Sequence, residues 1–149
     1  MTLQDRTIVI IGGTSGIGRR VAQLAHAEGA RLVLAGRDAA RLAEVRDEFV
    51  ALGGDISVYQ VDAHDEASLR GFFEALPAFD HLVSMVGDVM GGGFLDAPMS
   101  AIRHVVESKF FANVSIARLA AGKLRDGGDR KSTRLNSSHF QVSRMPSSA

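Results

Sequence analysis

The sequence contains no cysteine and no tryptophan, and its one tyrosine is Tyr59. The absence of cysteine excludes a disulfide framework and a thiolate metal site, and it favours a cytoplasmic location. No apolar run approaches the length that spans a bilayer, and the first residues lack the pattern of a signal peptide, so we expect no membrane association. The 17 basic and 17 acidic residues give a formal net charge of +0, which argues against general nucleic-acid binding.

Residues 129–149 differ from the rest of the chain, because they are rich in Ser, Thr, Arg and Asn and lack helix or strand periodicity. The stretches Asp129–His139 and Ser143–Ala149 resemble the translation of a common sequencing adapter in one reading frame. We therefore predict a domain over residues 1–128 and a non-native, disordered tail over 129–149, the alternative being a natural polar linker. Without the tail, 13 basic and 16 acidic residues remain, a net charge of −3, so the tail does not indicate a nucleic-acid-binding arm.

Residues 7–18 are the most informative stretch. The run Thr7-Ile-Val-Ile-Ile11 suits a strand that is buried on both faces. A glycine-rich turn follows, and apolar residues at helical spacing come after it. Gly12 allows a tight turn, while Gly16 and Gly18 leave room for a phosphate and for close helix packing. The N–H groups that begin the helix form an anion site, so we favour a nucleotide site over a plain turn.

The spacing G-x-x-x-G-x-G resembles that of the short-chain dehydrogenase/reductase family, whose signature is T-G-x-x-x-G-I-G; here Ile11 replaces the leading Thr. The resemblance covers residues 7–128. It implies an α/β fold with a Rossmann-type doubly wound parallel sheet, truncated after about four strands in the order 3-2-1-4. Such a truncation would leave strand 4 as an open edge, which invites aggregation.

The end of the second predicted strand, residues 31–36, bears on the choice of cofactor. An acidic residue there accepts a hydrogen bond from the 2′-OH of NAD, whereas a nearby arginine suits the 2′-phosphate of NADP. The sequence has Gly36 followed by Arg37, which predicts NADP, with NAD as the less favoured cofactor. The alternative is that Arg37 is a solvated loop residue. Asp38 suits the N-cap of the next helix.

Two more positions are implied by the resemblance. Asp62 follows the third predicted strand, where a residue of the family contacts the adenine amino group; a turn-forming role is the alternative. Gly87 is the one residue kept from the family's Asn-Asn-Ala-Gly, which reads Ser84-Met-Val-Gly87 here. We expect the cofactor-binding residues to be Gly12, Thr14, Ser15, Gly16, Ile17, Gly18, Arg37, Asp62 and Gly87.

The catalytic residues of the family are missing. Its members move hydride between a nicotinamide and a carbonyl or alcohol, with a serine and Tyr-x-x-x-Lys as the acid–base apparatus. No Tyr-x-x-x-Lys occurs in this sequence. We therefore assign no catalytic residue and predict the inactive, cofactor-binding half of an NADP-preferring oxidoreductase. The alternative is a non-catalytic NAD(P)-binding sensor or interaction module. For the full-length parent, the resemblance implies a homo-oligomer acting on a small carbonyl or alcohol.

The remaining expectations concern helix faces and side-chain clusters. In the family a helix here carries a catalytic Asn. Counting back from Gly127-Gly128, which resembles the turn before the family's fifth strand, places Lys109 at that position. Asn113 lies one turn further on, and the choice between the two residues stays open. The histidines are too scattered for metal-ligand spacing, so we expect no metal site. Apolar spacing predicts two core-facing stripes. The first consists of Leu69, Phe72, Phe73 and Leu76, and the second of Phe110, Val114, Ala117 and Ala121.

Overall fold

The computed structural model describes residues 3–88, 95–132 and 140–143, with the backbone alone for residues 127–132 and 140–143. One sheet lies between two layers of helices. The strands are β1 Thr7–Ile11, β2 Arg31–Gly36, β3 Ile56–Gln60, β4 Phe79–Ser84, β5 Leu124–Ser132 and β6 Phe140–Ser143. The helices are α1 Gly16–Ala27, α2 Ala39–Ala51, α3 Glu66–Ala75, α4 Met99–Val106 and α5 Ala112–Ala120, and a π-helical turn, Glu107–Phe111, joins the last two.

The strand order is β3-β2-β1-β4-β5-β6. The first five strands are parallel, and β6 runs antiparallel to β5. This arrangement confirms the doubly wound sheet and the order 3-2-1-4. The prediction of an open edge at β4 is wrong, because β5 pairs with β4 from Phe79↔Leu124 to Ser84↔Ser132. Strand β5 therefore covers that edge of β4, with an irregularity in the pairing between Phe79 and His81.

Part of the predicted tail lies in the sheet. Residues 129–132 form the end of β5, and residues 140–143 form β6. Residues 133–139 and 144–149 lie outside the described part of the chain. The division at residue 128 and the origin of the tail stay predictions.

Strand β1 shows why helices cover both faces of the sheet. Successive side chains of a strand point to opposite faces, so an uncharged run needs two apolar layers. Ile8 and Ile10 belong to the core cluster that includes buried residues of α1 and α2. Val9 and Ile11 belong to the cluster that includes buried residues of α3 and α5. The two clusters therefore cover both faces of β1, which lies between β2 and β4 inside the sheet.

The predicted helix faces had different outcomes. The stripe of α3 is confirmed, since its four apolar residues are buried. The predicted inner face of α5 is wrong: Phe110 and Val114 are 44% and 39% exposed, and the buried residues are Ala112, Ile116 and Ala120. This helix is apolar on two sides, and the side with two alanines allows the closer approach to α3 and the sheet. Within the described part of the chain, no helix is both long and apolar enough to cross a bilayer.

Candidate functional site

The turn between β1 and α1 brings a helix and a strand into unusually close contact. Gly12 has a φ of +86°, a backbone conformation that favours glycine. Gly18 lies in the first turn of α1, and a Cβ atom there would be 2.1 Å from the carbonyl oxygen of Gly12. No rotamer change relieves a clash with backbone, so only glycine fits at position 18. Gly18 therefore serves close helix–strand packing, as predicted.

Helix α1 begins without a side-chain cap, unlike the two helices that follow it. Ser15 occupies the N-cap of α1 and makes no capping hydrogen bond, and no acidic residue lies in the first turn. By contrast, the Asp38 carboxylate accepts hydrogen bonds from two N–H groups at the start of α2, and Asp65 accepts one at the start of α3. The N–H groups that begin α1, together with the helix dipole, can therefore hold an anion.

A cleft of about 270 Å³ opens at the carboxyl ends of the parallel strands, beside the start of α1. This is where open α/β sheets bind ligands, next to the strand at which the order reverses. Its lining consists of Ile11, Gly12, Thr14, Ser15, Gly36, Arg37, Asp38, Arg41, Val61, Ala63, His64, Met85, Val86, Gly87 and Asp88.

The structure brings most of the predicted binding residues to this cleft. Five of the nine line it: Gly12, Thr14, Ser15, Arg37 and Gly87. The other residues of the glycine motif, Gly16, Ile17 and Gly18, form the first turn of α1 and are not in its lining. Asp62 instead lines a neighbouring depression that it shares with Arg37, Gln60, Val61 and Ser68. Their role in binding stays a prediction.

Asp62 has the geometry of a turn-forming aspartate. Its Oδ1 atom accepts a hydrogen bond from the backbone N–H of His64 at 3.0 Å. This bond lowers the pKa of Asp62 against the opposing effect of burial, and the His64 side chain and Arg37 lower it further. The side chain is 54% exposed, so a carboxylate oxygen remains accessible to a ligand.

Arg37 and Arg41 give the β2 end of the cleft two guanidinium groups. Arg37 follows Gly36 directly, and its side chain is 65% exposed. Its Nη2 atom lies 3.9 Å from Oδ1 of Asp88, which comes from the loop after β4. Arg41 Nε lies 3.8 Å from Oδ2 of Asp38, the N-cap residue of the same helix. Because β2 ends in glycine, no side chain at the strand end separates these cations from the cleft.

Sequence reasoning missed a cluster of His64, Asp88 and His104 at the mouth of the cleft. Oδ2 of Asp88 lies 2.8 Å from Nε2 of His104 and 3.7 Å from Nε2 of His64. The two imidazole rings are stacked with their centroids 5.7 Å apart. The prediction that the histidines are scattered is therefore wrong for this pair, which only the tertiary fold brings together. Among the described residues, no group of three or more potential ligands could hold a metal ion.

Asn113 connects the end of β4 to the helices beyond it. Ser84 Oγ donates a hydrogen bond to Asn113 Oδ1 at 2.6 Å. The Asn113 amide donates to the carbonyl oxygens of Val86 at 3.2 Å and Lys109 at 2.9 Å. The sequence carries serine where the family's strand ends in asparagine, so Ser84 and Asn113 together fix the strand end beside the cleft. Of the two positions left open, Asn113 is the one whose side chain makes these contacts.

The sequence matches the family model described as short chain dehydrogenase over residues 6–134. Among curated proteins it is similar to dehydrogenase/reductase SDR family member 7B of Danio rerio, with 30% identity over 139 residues. It is also similar to L-rhamnose 1-dehydrogenase (NAD(P)(+)) of Azotobacter vinelandii, with 29% identity over 136 residues. These alignments cover 85% and 86% of this chain but 44% and 53% of the relatives. The chain thus spans about half the length of the curated relatives it matches.

Solved structures show the same likeness. A short-chain type dehydrogenase/reductase from Mycobacterium ulcerans aligns with a TM-score of 0.76 at 27% identity, covering 83% of this chain and 48% of that one. The RhlG/NADP active-site complex from Pseudomonas aeruginosa aligns with a TM-score of 0.77 at 26% identity, covering 85% of this chain and 50% of that one.

Proposed function

The chain belongs to the short chain dehydrogenase family, and on that premise we propose that it is the cofactor-binding part of an NADP-preferring oxidoreductase. The full-length parent would act on a small carbonyl or alcohol. When bound, the nicotinamide group supplies or accepts a hydride. The residues of this chain bind and orient the rest of the cofactor.

The proposed NADP preference rests on the two residues at the end of β2, Gly36 and Arg37. Gly36 provides no carboxylate to bind a ribose 2′-OH or to repel a 2′-phosphate, and Arg37 follows it at the edge of the cleft. A guanidinium group donates two parallel hydrogen bonds to a phosphate. The solved relative from Pseudomonas aeruginosa was itself a complex with NADP. Arg37 is therefore our candidate for selecting the phosphorylated cofactor.

The start of α1 would hold the pyrophosphate. Its N–H groups lack a side-chain cap, and the Thr14 and Ser15 side chains lie in the cleft lining beside them. Gly87, three residues after the end of β4, also lines the cleft. In this arrangement Asp62 would accept a hydrogen bond from the adenine amino group. All of these contacts bind and orient the cofactor, and none of them moves a proton.

We propose that the chain binds nucleotide without turning over a substrate. Its one tyrosine, Tyr59, lies within β3 and makes an edge-on ring contact with Phe72 at 5.3 Å. The residue four positions later is Ala63, so no lysine stands beside the phenol in the family's pattern. Tyr59 is therefore partly buried against the core and does not act as an acid or base.

We further propose that the full-length parent is a cytoplasmic homo-oligomer. The outer side of α4, the π-helical turn and α5 supports this, because it exposes five large apolar side chains. They are Met99, Val106, Phe110, Phe111 and Val114, each at least 39% exposed. An exposed apolar surface of this kind marks a protein contact more often than a free face.

The proposal is tested by titrating the chain with NADPH and NADH and following nucleotide fluorescence. We expect tighter binding of NADPH. Because Arg37 contacts only the 2′-phosphate in this reading, Arg37→Ala should weaken NADPH binding about tenfold and leave NADH binding unchanged. Arg46→Ala is the matched control, since Arg46 pairs with Asp47 on α2 and does not line the cleft.

Two results would overturn the proposal. One is a chain that binds neither nucleotide while its thermal melt shows a folded protein. The other is carbonyl-dependent oxidation of NADPH by the pure chain, which would contradict the assignment of a binding half without catalytic residues.

A further inference from the structure

We propose that Asp88 is a specificity-determining residue of the cleft, which limits the preference for a phosphorylated cofactor by holding Arg37. This inference rests on the proposed function and adds a residue that opposes Arg37. Asp88 lies in the loop after β4, on the wall of the cleft that faces the end of β2. No sequence signal singles it out, because its partners are far apart along the chain.

The position of Asp88 is fixed from its own side of the cleft. Its backbone N–H donates to the hydroxyl of Ser108 at 3.1 Å, and Ser108 is fully buried in the π-helical turn, where it donates to the carbonyl of Val105. Oδ2 of the Asp88 carboxylate lies 2.8 Å from Nε2 of His104 on α4. The backbone and one carboxylate oxygen are therefore anchored, and the other oxygen, Oδ1, is directed at Arg37.

Arg37 is the movable partner of this pair. Its side chain is 65% exposed, whereas that of Asp88 is 34% exposed. At 3.9 Å between Nη2 and Oδ1, the contact is a long ion pair that a phosphate can displace. A 2′-phosphate must compete with Asp88 for the guanidinium group. NADH carries no such phosphate, so Asp88 weakens NADPH binding selectively.

His104 and His64 set the strength of this restraint. The hydrogen bond from His104 holds the Oδ2 atom of Asp88 and reduces the negative charge on Oδ1, the oxygen that faces Arg37. His64, whose ring stacks on that of His104, lies on the β3 side of the same carboxylate. Removing His104 should free Asp88 to bind Arg37 more closely. We therefore expect opposite effects on cofactor preference: loss of the Asp88 charge should strengthen NADPH binding, and loss of His104 should weaken it.

The experiment measures the dissociation constants of NADPH and NADH for the wild-type chain, Asp88→Asn and His104→Ala. We expect Asp88→Asn to tighten NADPH binding about fivefold while NADH binding changes by less than about twofold. His104→Ala should weaken NADPH binding about twofold to threefold. Asp47→Asn is the control that removes the same charge from an exposed ion pair on α2, and it should change neither constant. A thermal melt of each variant verifies that it is folded.

A double-mutant cycle tests whether Asp88 acts through Arg37. In an Arg37→Ala background, Asp88→Asn should lose most of its effect on NADPH binding, because the pair no longer exists. An equal effect in both backgrounds would overturn the inference, as would an unchanged NADPH-to-NADH ratio in Asp88→Asn. Either result leaves the proposed function standing, whereas a wild-type chain that binds neither nucleotide overturns the proposed function itself.

Discussion

At the amino ends of the parallel strands, the carboxylate of Asp80 is buried and has three partners, whereas at the carboxyl ends the N–H groups that begin α1 have no side-chain cap. Asp80 accepts hydrogen bonds from Arg6 at 3.0 Å, from the backbone of Thr7 at 2.9 Å and from Arg125 at 2.6 Å. These contacts join β1, β4 and β5. The Asp80 carboxylate is hydrogen-bonded within the chain and stabilises the fold. The N–H groups at the start of α1 have no side-chain partner and are available to a ligand.

This contrast predicts that stability and nucleotide binding respond to different ends of the sheet. Substitutions near Asp80 should lower the free energy of unfolding without changing nucleotide affinity. Substitutions near the start of α1 should change affinity with little effect on stability. Single substitutions at the two ends of the sheet test this contrast.

Gly18→Ala should lower both the free energy of unfolding and the nucleotide affinity. The added Cβ would lie 2.1 Å from the Gly12 carbonyl oxygen, so α1 must move away from the end of β1. We expect the free energy of unfolding to fall by about 3 kcal/mol and nucleotide binding to be lost. Chemical denaturation and nucleotide titration measure the two effects.

Gly71→Ala is the control for this experiment. Gly71 lies within α3, is exposed and has no atom within 4 Å of the added Cβ, so alanine should stabilise the helix by about 0.5–1 kcal/mol. If Gly18→Ala were as stable as the wild type and still bound nucleotide, the close-packing explanation of the glycine motif would be wrong.

Asp80→Asn tests the amino end of the sheet. The asparagine keeps the size of the side chain but loses the charge that faces Arg6 and Arg125, so we expect a loss of about 2 kcal/mol in the free energy of unfolding at neutral pH. Nucleotide affinity should not change. A parallel fall in affinity would contradict the separation of the two ends.

The same variant predicts a pH dependence. Burial raises the pKa of Asp80, but the hydrogen bond from Thr7 and the charges of Arg6 and Arg125 together lower it below its ordinary value. The ionised form is therefore favoured by folding, and its stabilisation is present above the unfolded pKa of about 3.9 and lost as the pH falls through the lower folded pKa. The difference in stability between the wild type and Asp80→Asn should shrink below about pH 4. A constant difference from neutral pH downward would contradict this assignment.

Ser15→Asp should have the smallest effect on the free energy of unfolding and a clear effect on nucleotide affinity. An aspartate at the N-cap of α1 would accept the open N–H groups, which should raise the free energy of unfolding by about 0.5 kcal/mol. Its charge would repel the pyrophosphate, so nucleotide affinity should fall about tenfold. Asp65→Ser is the matched reverse exchange, because it alters a cap on α3 outside the cleft lining and should leave affinity unchanged. Unaltered nucleotide binding by Ser15→Asp would show that the anion does not lie at the start of α1.

The helices show how far apolar spacing predicts a face. In α3 the large apolar residues lie on one side, and they are the buried ones. In α1, Ile17 and Leu24 are 46% and 52% exposed, while the buried side consists of Gly18, Ala22 and Ala25. Small residues bring a helix closest to a sheet, so the largest apolar residues did not mark the inner face. A helix with apolar residues on two sides has no orientation until its neighbours are known.

Some residues of the candidate site could be predicted from the sequence and others could not. Gly12 and Gly18 were predictable from local sterics, because the positive φ of Gly12 favours glycine and any Cβ atom at position 18 would clash with backbone. Asp88 and His104 were not, because nothing local relates a loop after β4 to a helix further along the chain. The prediction of an open edge at β4 was wrong because it rested on where the resemblance stops, whereas β5 begins at Leu124 and pairs with β4.

The succession of strands and helices, the glycine turn after β1 and the absence of a carboxylate at the end of β2 can all be read from the amino-acid sequence. These features follow from local rules: alternation along a strand, backbone sterics at glycine and the identity of one residue. Only the tertiary structure decided which helix face is buried and which charges meet across the cleft. Those contacts join residues distant along the chain, and their energies exist only when the sheet and both helix layers are assembled.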